Sequence, residues 1–460
     1  MDNVKSYCYN DCEATLKMYN ISIEKIRLRK QLSKLYDLNL MNKSDSSIGE
    51  SIFIKYILEK KGIEYKELKA SVKKPEDFNF YLGDIILPYI KFKSEEFNSV
   101  LDYFKGVSVT NGILKNVFTY NVTHKGLKYD YGAGGLHASQ RGVFKEEGDY
   151  LLIDVDVNSY YPNISIKNKI FPEHLSEDFY IIYEEIYNTR KQAKKQSKLD
   201  PNDHKAVAIN QGLKLSLNSI FGKSNSQYST VYSPLFTASI TINGQLMLSM
   251  LAENLSEICE VFYANTDGLT VRIHKDKVDQ LYQICKDWEK LTDLELESVK
   301  YIEMYLRDVN NFAVKDEYGG IKYKGAYEID KAVGKEPAVW KNNSSRIVPI
   351  AVSNYFFKNI PICKTLENHD NIYDFCKIGK AKRGWSIYYG DKKLSNINRY
   401  FLSNNKKLKT LTKVNNEDSR IISIEAHPNS KKGEHYHLDV MNKFVLDKYI
   451  DLLRKFLNSV

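Results

Sequence analysis

The residues best placed for chemistry fall in three short stretches. The first is "LLIDVDVNSYYPNIS", 151–165. As a strand it puts Asp154 and Asp156 on one face and Ile153 and Val155 on the other. A carboxylate at a strand end, followed by a turn of Asn, Ser and Pro, suits a divalent cation. Mg²⁺ takes one or two protein carboxylates and keeps its other positions for phosphates and water. The bland alternative is an edge strand with solvated aspartates. The second stretch is "GLKLSLNSIFGKSNS", 212–226. On a helix, Lys214 and Asn218 lie one turn apart on one face, with Phe221 and Gly222 next along it. Lysine supplies a mobile point charge for a phosphate, and an aromatic followed by glycine offers a flat surface that a base pair can approach. Upstream, in "YNTRKQAKK", Arg190 and Lys194 are also one turn apart. If the two helices are antiparallel, Arg190, Lys194 and Lys214 converge on a triphosphate; otherwise they form a solvated basic face. The third stretch is "VFYANTDGLTV", 261–271, two short strands around a polar turn. Asp267 at that turn could meet Asp156 across adjacent strands, while Asn265 stands two residues before it. Two carboxylates holding two divalent ions is the arrangement for in-line phosphoryl transfer.

These stretches need a frame. Apolar spacing predicts helices over 11–35, 47–62, 176–198, 203–222, 235–256 and 275–295. The fourth is set off from the third by the turn signal "LDPND". Alternation predicts strands at 150–157 and a hairpin over 260–274, and "DVNNFAVKDEYGGIKYKGAYE", 308–328, reads as a hairpin closed at "EYGG". "YDYGAGGLHAS", 129–139, is too glycine-rich for a helix interior and marks a boundary or a close backbone contact. The stretch 341–357 enters a further helix. The order of elements predicts an α+β fold with a helical projection.

The bulk properties agree with a globular chain. It has 460 residues, 43% hydrophobic and 27% charged, with a formal net charge of +9. That charge is compatible with nucleic acid without requiring it. The 34 tyrosines, among abundant Lys, Asn and Ile, fit an AT-rich coding sequence before they suggest stacking platforms. Cys8, Cys12, Cys259, Cys285, Cys363 and Cys376 have no zinc spacing and read as reduced structural thiols. No apolar run approaches the roughly 20 residues needed to span a bilayer, so no membrane partner is expected. "MDNVKSYCYNDCEA" lacks the apolar region of a signal peptide, so a cytoplasmic location is expected. His435 and His437 in "GEHYHLD" read as a surface strand. The basic run 392–413 is either a phosphate-tracking surface or a solvated one.

"DVNSYYP", "KLSLNSIFG" and "YANTDG", in that order, resemble the three polymerase motifs of family B DNA polymerases, D-x-x-S-L-Y-P, K-x-x-x-N-S-x-Y-G and Y-x-D-T-D-S. "YGAGGLHAS" resembles the Gly-Gly segment between the exonuclease and polymerase domains of phage members, and "KYKGAYE", 322–328, resembles the Lys-Gly element that contacts primer–template. The resemblance covers roughly 125–360. It implies a right-hand polymerase with an antiparallel palm sheet, two-helix fingers and a thumb. The corresponding segments are 150–175 and 223–329 for the palm, 176–222 for the fingers and 330–460 for the thumb, with a connecting region at 36–149. It implies Asp156 and Asp267 as catalytic metal ligands for two Mg²⁺ (or Mn²⁺), helped by the Val157 carbonyl. Tyr161 becomes the floor under the deoxyribose, flanked by Ser159 and Tyr160. Arg190, Lys194 and Lys214 would bind the dNTP. Asn218, Phe221 and Gly222 would line the nascent base pair. Tyr263 and Thr266 would support the primer terminus, and Gly134, Gly135, Lys322 and Lys324 would face DNA, contacts that fix register without reading sequence.

The departures from the family pattern are specific. Phe221 stands for Tyr, Gly268 for Ser and Asn265 for the first Asp of the hairpin; Asp154 is a candidate for the missing charge. "VNNFAV", 309–314, has no Lys where a K-K-x-Y cluster is often found. Both intervals between the motifs lack the large insertions of protein-primed relatives, which implies ordinary nucleic-acid priming. "YCYND", Tyr7 to Asp11, resembles the last exonuclease motif without the two that precede it, so 1–35 reads as the end of a lost or separately encoded proofreading domain. The expected function is a DNA-dependent DNA polymerase core without proofreading, in a host cytoplasm if phage-encoded. The alternatives are an inactive relic that binds primer–template, or the polymerase half of a split enzyme. A separate exonuclease or a clamp subunit would then be partners.

Overall fold

Residues 150–157 form a strand whose last residues alternate in burial, and 260–274 form a hairpin whose two strands are buried along most of their length; both elements are where the sequence predicts them. The structure is a computed structural model that describes residues 2–328, 344–400, 402–403, 411–423 and 435–436. It is a mixed α/β structure with antiparallel sheets, and it divides into two units, Met1–Ser139 with Asp149–Val299, and Gln140–Gly148 with Lys300–Val460.

The first unit begins with α1 (Asp2–Tyr36), α2 (Asp45–Lys61), α3 (Tyr65–Ala70), β1 (Phe80–Tyr81), α4 (Glu95–Gly106) and β2 (Ser108–Val109). Next come β3 (Tyr120–His124), β4 (Leu127–Gly132) and β5 (Gly135–Ser139). The chain crosses β6 (Gly142–Lys145), in the second unit, and returns with β7 (Tyr150–Val157), α5 (Tyr160–Lys167), α6 (Asp178–Leu199), α7 (His204–Ser224), α8 (Pro234–Leu255), β8 (Glu260–Asn265), β9 (Gly268–His274) and α9 (Val278–Thr292). Its strands pair antiparallel in the order β7–β9–β8–β5–β4–β3. The glycine-rich stretch at 129–139 is therefore a hairpin, with its turn at Ala133 and Gly134.

The core is organised around α8, which corrects one expectation. The sequence reading sees no apolar run of membrane-spanning length, yet α8 has 22 residues and a mean hydropathy of 1.3, with 94% of that window buried. Its Ser, Thr, Asn and Gln residues break the run on paper. In the helix they bond to carbonyls one turn back, as Thr241 Oγ1 does to the Thr237 carbonyl (2.9 Å) and Ser249 Oγ to that of Gln245 (2.8 Å). A helix apolar on every side is a core helix here. Several neighbouring elements are pinned to it. Tyr131 on β4 bonds Ser249 (2.6 Å), Tyr160 on α5 donates to the Gly244 carbonyl (2.6 Å), and Trp288 on α9 donates to the Met247 carbonyl (2.8 Å). Glu253 accepts from the Lys93 and Ser94 backbone N–H groups and from Ser94 Oγ.

Helices α6 and α7 are joined by the predicted turn. Asp203 caps α7 by accepting from the Ala206 N–H (2.9 Å). The two run antiparallel, with Tyr183 Oη donating to the Leu217 carbonyl at 2.6 Å. On the other side of α7 lies α2, so close that Gly49 has no room for a side chain: a Cβ there would press on the Leu215 carbonyl oxygen and stand 2.5 Å from Ser219 Oγ. Ser216 Oγ donates to the Gly49 carbonyl at 2.9 Å.

The second unit contains β10 (Leu296–Asp308), whose first residues belong to the first unit, with β11 (Asn311–Asp316) and β12 (Ile321–Lys324). There β6 pairs with β10 antiparallel, and β11 and β12 form the predicted hairpin. Helix α10 (Ile347–Lys358) forms where 341–357 was expected to enter one, followed by α11 (Ile362–Glu367). Short strands follow: β13 (Lys377–Lys380), β14 (Trp385–Tyr389), β15 (Lys392–Lys393), β16 (Ile397–Tyr400), β17 (Leu402–Ser403), β18 (Leu411–Asn415), β19 (Ile421–Ser423) and β20 (His435–Tyr436). His435 lies on a strand, as expected; His437 and most of the basic run beyond residue 403 lie outside the described residues.

The α2–α7 contact predicts that Gly49→Ala costs about 1–3 kcal/mol through overpacking. Urea unfolding of the purified variant measures it, and an unchanged midpoint would contradict the packing described.

Candidate active site

Two carboxylates stand at neighbouring strand ends. In the β7–β9 ladder Asp156 lies opposite Gly268, Val155 opposite Leu269 and Asp154 opposite Thr270. Asp267 is the last residue before β9, in the turn Thr266–Asp267 that joins β8 to β9. The Val157 N–H donates to the Asp267 carbonyl at 2.8 Å, which ties the end of β7 to that turn. Asp156 and Asp267 are both exposed, whereas Ile153, Val155 and Val157 are buried.

Gly268 makes room for this pair. A Cβ at that position would sit 2.8 Å from Asp156 Oδ1 and 3.1 Å from the Val155 carbonyl oxygen. The serine of the family pattern would therefore push against the Asp156 carboxylate as it stands here. Asp154 is engaged differently: its Oδ1 accepts from Thr270 Oγ1 at 2.6 Å, and Thr270 is fully buried. That cross-strand bond fixes Asp154 two residue pairs back from Asp156, on the same face.

The backbone on either side of the carboxylates is unusual. Ser159 has φ +49° and Thr266 has φ +57°, both in the left-handed region. For β-branched Thr266 that is an outlier, and such residues persist where the surroundings hold them. The Thr266 N–H donates to the Leu136 carbonyl on β5 (2.9 Å), and the Asp267 N–H closes a three-residue turn onto the Asn265 carbonyl (2.5 Å). After β7, the Asn158 N–H donates to the Glu295 carbonyl (2.9 Å), and Asn163 Nδ2 to the Asn158 carbonyl (2.7 Å).

Aromatic residues wall the site. Tyr161 packs on Tyr160, with rings stacked 5.9 Å apart, and against Phe221 at the end of α7, 4.2 Å between centroids. Gly135, at φ +123°, closes the opposite side; a Cβ there would stand 3.4 Å from both the Thr266 side chain and Tyr161 Oη. Burial, and then the charge of Asp267, push the Tyr161 phenol up to about 12. Burial also raises Tyr160 well above the usual range. Both tyrosines remain neutral hydrogen-bonding groups at physiological pH.

Along α7, Lys214, Asn218 and Gly222 are exposed at successive turns, and Phe221 is half-buried. On α6, Arg190 and Lys194 are half-buried. Burial lowers the Arg190 pKa, opposed by Tyr187, and its buried Nε has no hydrogen-bond partner. About two turns along each helix from the Tyr183–Leu217 bond, Arg190 stands level with Asn210, whose buried Oδ1 also lacks a partner. The sequence gives no reason to single out Asn210. Lys322 and Lys324 belong to the second unit, on one face of β12, with the Lys324 amine 5.6 Å above the Phe312 ring. Gly134 faces open space except for His137 Cε1 at 3.9 Å.

The donor set suits a hard divalent cation. Among the described residues, no group of three or more His, Cys, Asp or Glu side chains is arranged to hold a metal. Asp156 and Asp267 supply two carboxylates and Val157 a carbonyl, an all-oxygen set of the kind Mg²⁺ uses when phosphates and water complete its shell.

If Asp156 Oδ1 fills the space beside Gly268, Gly268→Ala should cost about 1–3 kcal/mol, and the cost should shrink in an Asp156→Ala background. A double-mutant cycle in urea reads this; equal penalties in both backgrounds would contradict the contact.

No protein-family model matches the sequence, and no curated protein matches it. Among solved structures 232 chains match. One is the family B DNA polymerase from the hyperthermophilic archaeon Pyrobaculum calidifontis, at 13% identity and a TM-score of 0.49, covering 99% of this chain and 56% of that one. This chain thus spans little more than half the length of that neighbour.

Proposed function

We propose that this chain is a DNA-dependent DNA polymerase core that extends a primer 3′-OH with dNTPs. The observation that carries the reading is the exposed pair Asp156 and Asp267 at the ends of hydrogen-bonded neighbouring strands. The motif order around it supports the same reading. Strands β7, β8 and β9 act as the palm, α6 and α7 as the fingers, and the chain beyond residue 330 as the thumb.

In this reading Asp156, Asp267 and the Val157 carbonyl hold two Mg²⁺. When bound, such ions lower the pKa of an attacking hydroxyl and offset charge on the phosphate oxygens. The remaining work belongs to side chains. Lys214, Lys194 and Arg190 bind the triphosphate, the guanidinium as a fixed fork of donors and the lysines as point charges. Tyr161 lies flat under the sugar, braced by Tyr160 and Phe221. Its neutral phenol would crowd a 2′-OH. Asn218 and Gly222, exposed beyond Phe221, leave a smooth surface for the new base pair.

Primer extension tests the reading. Wild type should extend with Mg²⁺ or Mn²⁺, and Asp156→Asn or Asp267→Asn should each lose about a thousandfold or more, equivalent to several kcal/mol of charge stabilisation. No extension by wild type would sink the enzyme reading, and full activity of Asp156→Asn would sink the site.

A second observation favours the split-enzyme form of this reading. From residue 4 to residue 21 every side chain of α1 is exposed, including Val4, Tyr7, Tyr9, Leu16, Met18 and Tyr19. An apolar surface of this kind suits a partner chain, and a separate nuclease subunit is the partner that the Tyr7–Asp11 resemblance suggests. The purified chain alone should then leave a 3′-mismatched primer intact. Removal of the mismatched nucleotide by the chain alone would overturn both the partner and the lack of proofreading.

A further inference from the structure

Asn265 sits between two hydroxyl groups. Its Nδ2 donates to Tyr263 Oη at 2.9 Å, and its Oδ1 accepts from Thr266 Oγ1 at 3.0 Å. The Tyr263 side chain is only 6% exposed. Burial is the main reason its phenol is held neutral, far above its usual range; the Asn265 bond opposes this, and the charges of Asp154, Asp267 and Asp156 add to it. In the strand register Tyr263 lies opposite Thr270, and Thr270 lies opposite Asp154 and bonds it, so the phenol shares the face of the sheet that carries Asp154 and Asp156.

A hydroxyl oxygen that accepts from an amide turns its own hydrogen elsewhere. The strongest acceptors that the register places on this face are the carboxylates of Asp154 and Asp156. An aspartate at 265 would reverse the arrangement. A carboxylate has nothing to donate, so Tyr263 would give its hydrogen to residue 265, and a fourth negative charge would join the other three. The same amide steadies Thr266. That residue keeps its left-handed backbone with two bonds, one to Asn265 and one from its N–H to the Leu136 carbonyl.

We propose that Asn265 is a positioning residue whose amide fixes Tyr263 as a hydrogen-bond donor toward the carboxylate side of the hairpin, where it holds an oxygen of the primer end. The last clause rests on the polymerase reading above; the orientation of Tyr263 does not. The replacement of an acidic residue by Asn265 is then a change of role rather than a lost ligand. The amide exchanges one negative charge for control over a hydroxyl.

The test is a cycle of wild type, Asn265→Asp, Tyr263→Phe and the double variant, read by melting temperature and by steady-state extension. Asn265→Asp should raise KM for primer–template about tenfold with a smaller change in kcat. Tyr263→Phe should do the same, and the double variant should be no worse than either single one. The melting temperatures should show the same non-additivity. Full additivity in melting, or primer binding by Asn265→Asp equal to wild type, would overturn the proposal. If Asn265→Asp fails to fold, Asn265→Ala takes its place in the cycle. If wild type does not extend, the polymerase reading fails, while the melting cycle still decides the positioning role: coupling upholds it and additivity overturns it.

Discussion

The site depends on the register between β7 and β9. Side chains alternate along a strand, so a slip of one residue would turn Asp156 into the core and bring a buried valine out. The register is locked from both sides. Ile153, Val155 and Val157 are buried in the core, and Asp154 is bonded directly across to Thr270. Beyond them, the Val157 N–H reaches the Asp267 carbonyl. With this pairing in place, Asp156 and Asp267 are both exposed at neighbouring strand ends, and the space left by Gly268 accepts the Asp156 carboxylate.

That ladder needs a rigid support, and α8 supplies it. The helix is buried on nearly all sides, and its polar residues are bonded within the helix or to the segments around it. Leu87 N–H donates to Asn243 Oδ1, and Asn243 Nδ2 donates to the Ile85 carbonyl. Through the Tyr160–Gly244 bond it fixes α5, which is capped by the left-handed Ser159 two residues after β7. Tyr161, next to Tyr160, is thereby set against Phe221 and Gly135. The wall of the site is thus braced by a core helix that carries no candidate site residue of its own.

Much of this frame was legible in the sequence because it rests on periodicity. The alternation of "YLLIDVDV" and the spacing in 176–222 gave elements within a residue or two of those observed. The long strand β10 was not legible, since "LESVKYIEMYLRD" mixes charged and apolar residues without a clean period, and its burial is equally mixed. The division into two units was also hidden, because β6 lies far from β10 in sequence and joins it only through pairing. At the site, residue types pointed to Asp156 and Asp267. They did not show the left-handed turn at Thr266, the room beside Gly268 or the two bonds of Asn265, which depend on strands brought together from distant parts of the chain. Asn265 read as a departure from a pattern; its bonds to Tyr263 and Thr266 give it a positive role.

The central claim of the proposed function is that Asp156 and Asp267 act as one pair that holds the divalent ions. Diffraction from crystals soaked in Mn²⁺, collected at the manganese absorption edge, tests it most directly. The account predicts an anomalous peak bounded by the carboxylates of Asp156 and Asp267, lost in Asp267→Asn crystals. A peak bound by other residues, or one that persists unchanged without the Asp267 carboxylate, would contradict it.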